Sequence, residues 1–116
     1  MPDLIETARK VIRDEGKAIL ALEERLGNAF ERAVKLILNA EGRVVVTGIG
    51  KSGIVGSKIA ATLSSTGTPA TFLHAAEGLH GDLGMVQKGD VIICVSKSGA
   101  QVELKLLLPL FRKLGS

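Results

Sequence analysis

Aromatic residues are scarce: the 116-residue chain has three Phe and no Tyr or Trp. Proteins that hold single-stranded nucleic acid rely on aromatic rings that stack with bases, so that class of partner is disfavoured. One cysteine, Cys94, excludes an intrachain disulfide, and nothing suggests a secreted, cross-linked scaffold. Cys94 lies in the apolar run Val91–Val95, where it reads as a small buried hydrophobe rather than a reactive thiol. No apolar run approaches the ~20 residues that a membrane-crossing helix needs. The N-terminus is amphipathic and of mixed charge, unlike a signal peptide. A cytoplasmic protein without a membrane partner is expected.

What is present is ordinary for one small globular domain: 46% hydrophobic and 23% charged residues. The formal net charge is +3. The basic residues do not cluster: Arg9, Lys10, Arg13 and Lys17 alternate with Glu6, Asp14 and Glu15, as on a solvated helix face. Nucleic acid is therefore not expected as a partner, and an anionic small molecule suits the mild positive charge better.

The first forty residues read as helix. Leu4, Ile5, Ala8, Val11, Ile12, Ile19, Leu22 and Leu26 recur at three- and four-residue steps. Gly27-Asn28 marks a break, and Asn28 with Glu31 fits a capping box for a second helix that Gly42 would stop. Arg43–Thr47 is then a β-branched run ending at Gly48, the pattern of a strand covered on both faces. A helix is expected over 53–66, ended by Gly67 and Pro69, and a second strand over 70–73. A Gly-rich loop with room for one helical turn follows over 74–89, then a third strand over 90–95. A last helix should start at Ser98 and run through Leu108, with Pro109 disturbing it. Alternating strands and helices imply an α/β fold with parallel strands and right-handed crossovers. In such sheets a ligand sits at the carboxyl ends of the strands, where the strand order reverses.

Two strand-to-helix segments occupy that position. Thr47-Gly48-Ile49-Gly50-Lys51-Ser52-Gly53 offers glycines, free amides at a helix start, a cation and a hydroxyl, a combination suited to a phosphate. Ser96-Lys97-Ser98-Gly99 offers a second anion cradle, although Ser98 also suits a plain N-cap. The first segment also matches the dinucleotide fingerprint, but that needs an acid at the tip of the second strand, where Leu73 and His74 stand. A Walker A loop would need Gly at position 45, which is Val. His74, Glu77, His80 and Asp82 lie within nine residues, yet their spacing matches no standard metal site, so neither metal nor cofactor is expected. His80, in a glycine-rich loop near a strand end, is better suited to contact a substrate. Glu103 reads as a helix carboxylate, and as a general base only if a phosphosugar lies close.

Taken together, Gly48–Gly53, Ala60–Ala70, Glu77–Met85 and Ser96–Gly99 resemble the sugar isomerase (SIS) domain of the arabinose-5-phosphate isomerases, in order and from Glu41 onward. The resemblance implies a three-layer αβα fold with a parallel sheet, flavodoxin-like or Rossmann-like. It would be cut to about three strands over 42–116 and preceded by an N-terminal helical pair over 1–41 packing on the sheet. The family's domain has two further strands with a Glu and a His, then usually paired CBS domains, all beyond Ser116. The resemblance implies interconversion of D-arabinose 5-phosphate and D-ribulose 5-phosphate through an enediol, a step toward the Kdo sugar of lipopolysaccharide. Lys51, Glu103 and His80 match catalytic positions. Gly50, Ser52, Ser96, Ser98 and Gly99 match phosphate- or sugar-contacting ones. The family's histidine in the first loop is Ile54 here, and Lys97 and Ala100 replace its usual residues around Ser98 and Gly99. A homo-oligomer is expected, and a non-catalytic phosphosugar-binding module is the alternative.

Overall fold

A computed structural model describes residues 2–75, 82–97 and 102–113. The chain divides into two compact units, Met1–Lys35 and Leu36–Ser116. In the first unit, helix α1 (Leu4–Ala21) passes through Gly16 without interruption. Asp3 caps it, its side chain accepting from the amides of Ile5 and Glu6 at 3.0 and 3.2 Å. Exposed ion pairs Lys10–Asp14 and Arg13–Glu6 brace its surface, each a minor contribution. A short 3₁₀ turn, Glu23–Arg25, leads to helix α2 (Asn28–Leu38). The Gly27 carbonyl accepts the first helical bond from the Glu31 amide at 3.2 Å, so Gly27 holds the cap position and Asn28 is already helical.

The second unit is built on three parallel strands, β1 (Val44–Gly48), β2 (Ala70–His74) and β3 (Val91–Val95), in the order β2-β1-β3. As the β-branched run predicts, β1 is buried along its whole length, and the strand order makes it the central strand. Its residues alternate between two cores. Val45 joins Leu73, Ala75, Val86 and Phe111 on one face. Val44 and Val46 join Ala60 on the other, with Phe72, Ile93 and Val95 against them. Helix α3 (Gly50–Ser65) supplies Ala60, and helix α4 (Val102–Lys113) supplies Phe111, so helices cover opposite faces and the three-layer expectation holds.

Helix α3 starts three residues earlier than the glycines suggest, because the Ile49 carbonyl accepts the Gly53 amide at 3.3 Å. It ends as expected at Gly67, whose φ is +102°. Thr68 N–H bonds back to the Leu63 carbonyl at 2.9 Å and Gly67 N–H to that of Ser64 at 3.4 Å, a Schellman stop. The expected disturbance at Pro109 does not end α4, which runs on to Lys113. Proline removes one helical bond, but Phe111 beyond it is 3% exposed and holds the last turn in the core. Among the described residues, a helical turn between β2 and β3 is seen as the 3₁₀ segment Asp82–Met85.

Cys94 is exposed, contrary to the sequence expectation. It lies on β3, an edge strand whose outer side has no partner strand among the described residues. An apolar groove of about 340 Å³ runs along that edge, lined by Ile92, Cys94, Leu36, Leu108 and Phe111 among others. Partial burial nonetheless raises the Cys94 thiol above its ordinary pKa, which keeps it protonated at neutral pH.

At the amino ends of the strands, Asp90 acts as a clasp. It is 5% exposed, accepts from the Arg43 amide at 3.0 Å and from the Gln87 amide at 2.8 Å, and lies beside the Arg43 side chain. Gly42 is required by this clasp rather than by a helix stop: a Cβ there would meet Asp90 Oδ1 at 2.2 Å. Replacing Asp90 by Ala strands two amides and should lower the unfolding free energy by about 2 kcal/mol or more. Urea unfolding would show this as a shifted midpoint at unchanged slope. Asp90→Asn, which keeps one acceptor, should lose about half as much.

Candidate functional site

The strand order places the fold's topological switch between β1 and β3. The chain leaves β1 for β2 on one side and returns to β3 on the other. Register sets the three carboxyl ends level, Gly48 opposite both His74 and Val95. The segments that follow β1 and β3 therefore begin side by side above one crevice.

Two glycines shape the first segment. A Cβ on Gly48 would lie 3.0 Å from the Gly53 nitrogen and from the Ser52 carbonyl carbon and oxygen. The strand end and the first helical turn thus touch backbone to backbone. Gly50 has φ +61°, a conformation that favours glycine, and a Cβ added there would meet nothing within 4 Å. Ile49 provides no side-chain cap for α3, so the amides of Gly50, Lys51 and Ser52 lack intrahelical acceptors. The first turn contains no acidic residue and does contain Lys51, which is exposed. A lysine at the positive end of a helix opposes the helix dipole. An anion bound there would reverse that penalty, since amides, dipole and ammonium would then all favour it.

Ser96 follows β3 directly and is half-buried, next to the first segment by register. Register thus puts Ser96 and the segment that carries Gly50, Lys51 and Ser52 just past adjoining strand ends. Glu103 lies in the first turn of α4, and its side chain is outside what is described. His80, Ser98 and Gly99 lie outside the described residues. His74 ends β2, on the far side of β1 from the switch, and meets the Phe72 ring edge-on at 6.5 Å. Thr47, which opens the first segment in the sequence, is completely buried beneath Gly48. No role follows from the sequence for it beyond its being the polar member of Val44–Thr47.

The SIS domain family matches residues 36–116, which include the sheet, α3, α4 and the crevice. The chain belongs to the SIS domain family. Arabinose 5-phosphate isomerase KdsD of Pseudomonas aeruginosa is 51% identical over 97% of this chain, which spans 35% of that relative. A protein of Escherichia coli CFT073 solved in complex with arabinose 5-phosphate is 38% identical, with a TM-score of 0.83 over 99% of this chain and 63% of its own. A Listeria monocytogenes protein classed as a sugar-phosphate isomerase superposes with a TM-score of 0.93 at 32% identity, over 100% of this chain and 62% of its own. This SIS chain therefore spans about a third of that curated relative and about six-tenths of the solved ones.

The close approach at Gly48 makes a specific prediction. Gly48→Ala must separate the strand end from the helix start, and should lower the unfolding free energy by about 1–3 kcal/mol, read from urea unfolding. Gly50→Ala meets no neighbour, and should cost only about 1 kcal/mol of stability for its positive φ.

Proposed function

We propose that this SIS chain binds a sugar phosphate in the β1–β3 crevice and serves the interconversion of D-arabinose 5-phosphate and D-ribulose 5-phosphate. The observation that carries the proposal is the uncapped, acid-free start of α3, with Lys51 at its mouth, beside Ser96 at the switch point. Names among the relatives point to the same substrate, and one solved relative holds arabinose 5-phosphate.

In the isomerisation, a base removes the proton from C2 of the open-chain aldose, and the electrons move onto the carbonyl oxygen at C1. The resulting enediolate is reprotonated at C1, while the hydroxyl proton passes from O2 to O1. Glu103 is the proposed carrier of the carbon proton. Lys51 is proposed to stabilise the negative oxygen, with His80, which follows β2 in the sequence, as a further participant. Gly50, Ser52, Ser96, Ser98 and Gly99 are proposed to hold phosphate and sugar. No residue in this scheme requires a cofactor. Supply of arabinose 5-phosphate for lipopolysaccharide sugar synthesis in the cytoplasm is the corresponding cellular role. Among the described residues no helix is long and apolar enough to cross a membrane.

The outer edge of β3 bears on assembly. Its strand, Val91–Val95, carries no charge, and open backbone groups between apolar side chains favour pairing with another strand. We propose that a further strand covers that edge and, separately, that the chain forms a homo-oligomer. Sedimentation at micromolar concentration should show a dimer or larger species, and a clean monomer would refute the homo-oligomer.

Catalysis is tested by incubating the chain with D-arabinose 5-phosphate and following ribulose 5-phosphate. Lys51→Ala and Glu103→Ala should each lower turnover by about 10²-fold or more, in the range of lost oxyanion or general-base groups. Binding of the sugar phosphate without turnover in the parent chain would instead establish a phosphosugar-binding module.

A further inference from the structure

Thr47 is 0% exposed, and its hydroxyl has no hydrogen-bond partner among the described residues. A buried hydroxyl without a partner is costly, because it gives up water and receives nothing in return. The same position could be filled by valine, which has the same branched shape and already occupies Val44, Val45 and Val46. A polar group in such a place calls for an explanation other than packing.

Its position suggests one. Thr47 is the penultimate residue of the central strand, one residue below Gly48 at the floor of the crevice. Register sets it between Leu73 and Cys94. By strand alternation it shares the face of Val45, opposite the face that carries Val44, Val46 and α3. The amides at the start of α3 therefore approach a ligand from one side of β1, and the Thr47 hydroxyl lies toward the other. A phosphate held at the helix start would leave the rest of the ligand above the strand end.

We propose that Thr47 is a positioning residue for the sugar part of the ligand: its hydroxyl takes up one water only when a sugar phosphate binds, and that water hydrogen-bonds to the ligand's hydroxyl chain. Buried waters commonly satisfy polar groups in this way. The phosphate itself is left to Gly50, Lys51 and Ser52. This inference rests on the sugar-phosphate reading of the crevice, and adds a division of labour within it. Selectivity for a polyhydroxylated phosphate over a bare one would come from the face of β1 opposite α3.

The test compares the whole chain with Thr47→Val and Thr47→Ser. Melting temperature is measured without ligand, and calorimetry gives Kd for D-arabinose 5-phosphate and for inorganic phosphate. Thr47→Val should melt several degrees higher than the parent, because it removes an unpaired hydroxyl. It should bind arabinose 5-phosphate roughly tenfold more weakly and inorganic phosphate unchanged. Thr47→Ser, which keeps the hydroxyl, should retain most of the sugar-phosphate affinity. A lower melting temperature for Thr47→Val would mean that the hydroxyl is bonded within the protein, and would overturn the proposal. So would equal losses for both ligands, or no loss for the sugar phosphate. If the parent chain binds phosphate but arabinose 5-phosphate no more tightly, the division of labour fails while an anion site stands. If the parent binds neither, the sugar-phosphate reading falls first and this inference with it.

Discussion

Parallel pairing on both edges of β1 is the constraint on which the rest of this structure depends. A strand hydrogen-bonded to two parallel neighbours must be covered on both faces, because the crossovers put helices there. Val44, Val45 and Val46 meet that demand, alternating between a core shared with α3 and one shared with α4. The same pairing sets the carboxyl ends of all three strands level. It also decides that the chain turns one way after β1 and the other way before β3, which opens the crevice. Packing and candidate function therefore have one physical origin.

At the mouth of that crevice, local stability yields to ligand chemistry. Helix α3 begins with no side-chain cap, no acid in its first turn and a lysine where the dipole is positive. Each choice disfavours the helix start in isolation. Below it, a hydroxyl is buried where a methyl would fit. Departures of this kind are expected where a site is held ready for something the chain itself does not contain. The opposite end of the sheet shows the contrary case. Asp90 there is fully engaged by backbone amides, and its neighbour Gly42 is shaped around it. The stabilising clasp lies at the amino ends of the strands, and the proposed ligand-binding groups lie at the carboxyl ends.

Much of this was legible from residue patterns because those patterns report local physics. The β-branched run Val44–Val46 announced a strand buried on both faces, and Gly67 announced a helix stop through its positive φ. The expectations that failed depended on contacts distant in sequence. Pro109 was expected to disturb its helix, but burial of Phe111 carries α4 past it. Gly42 looked like a helix terminator and is instead the space that Asp90 occupies, from far along the chain. Cys94 looked buried, since an apolar run does not reveal that its strand lies at the sheet edge.

The sequence by itself determined the order of strands and helices, the parallel class of the sheet and the phosphate-friendly chemistry of Gly48–Gly53 and Ser96, because these follow from periodicity, turn residues and side-chain type. Only the tertiary structure decided that β1 is central, that the segments after β1 and β3 share one crevice, and that Thr47 is buried beneath it with no hydrogen-bond partner among the described residues. Those depend on which strands pair and in what register, and no local pattern encodes them.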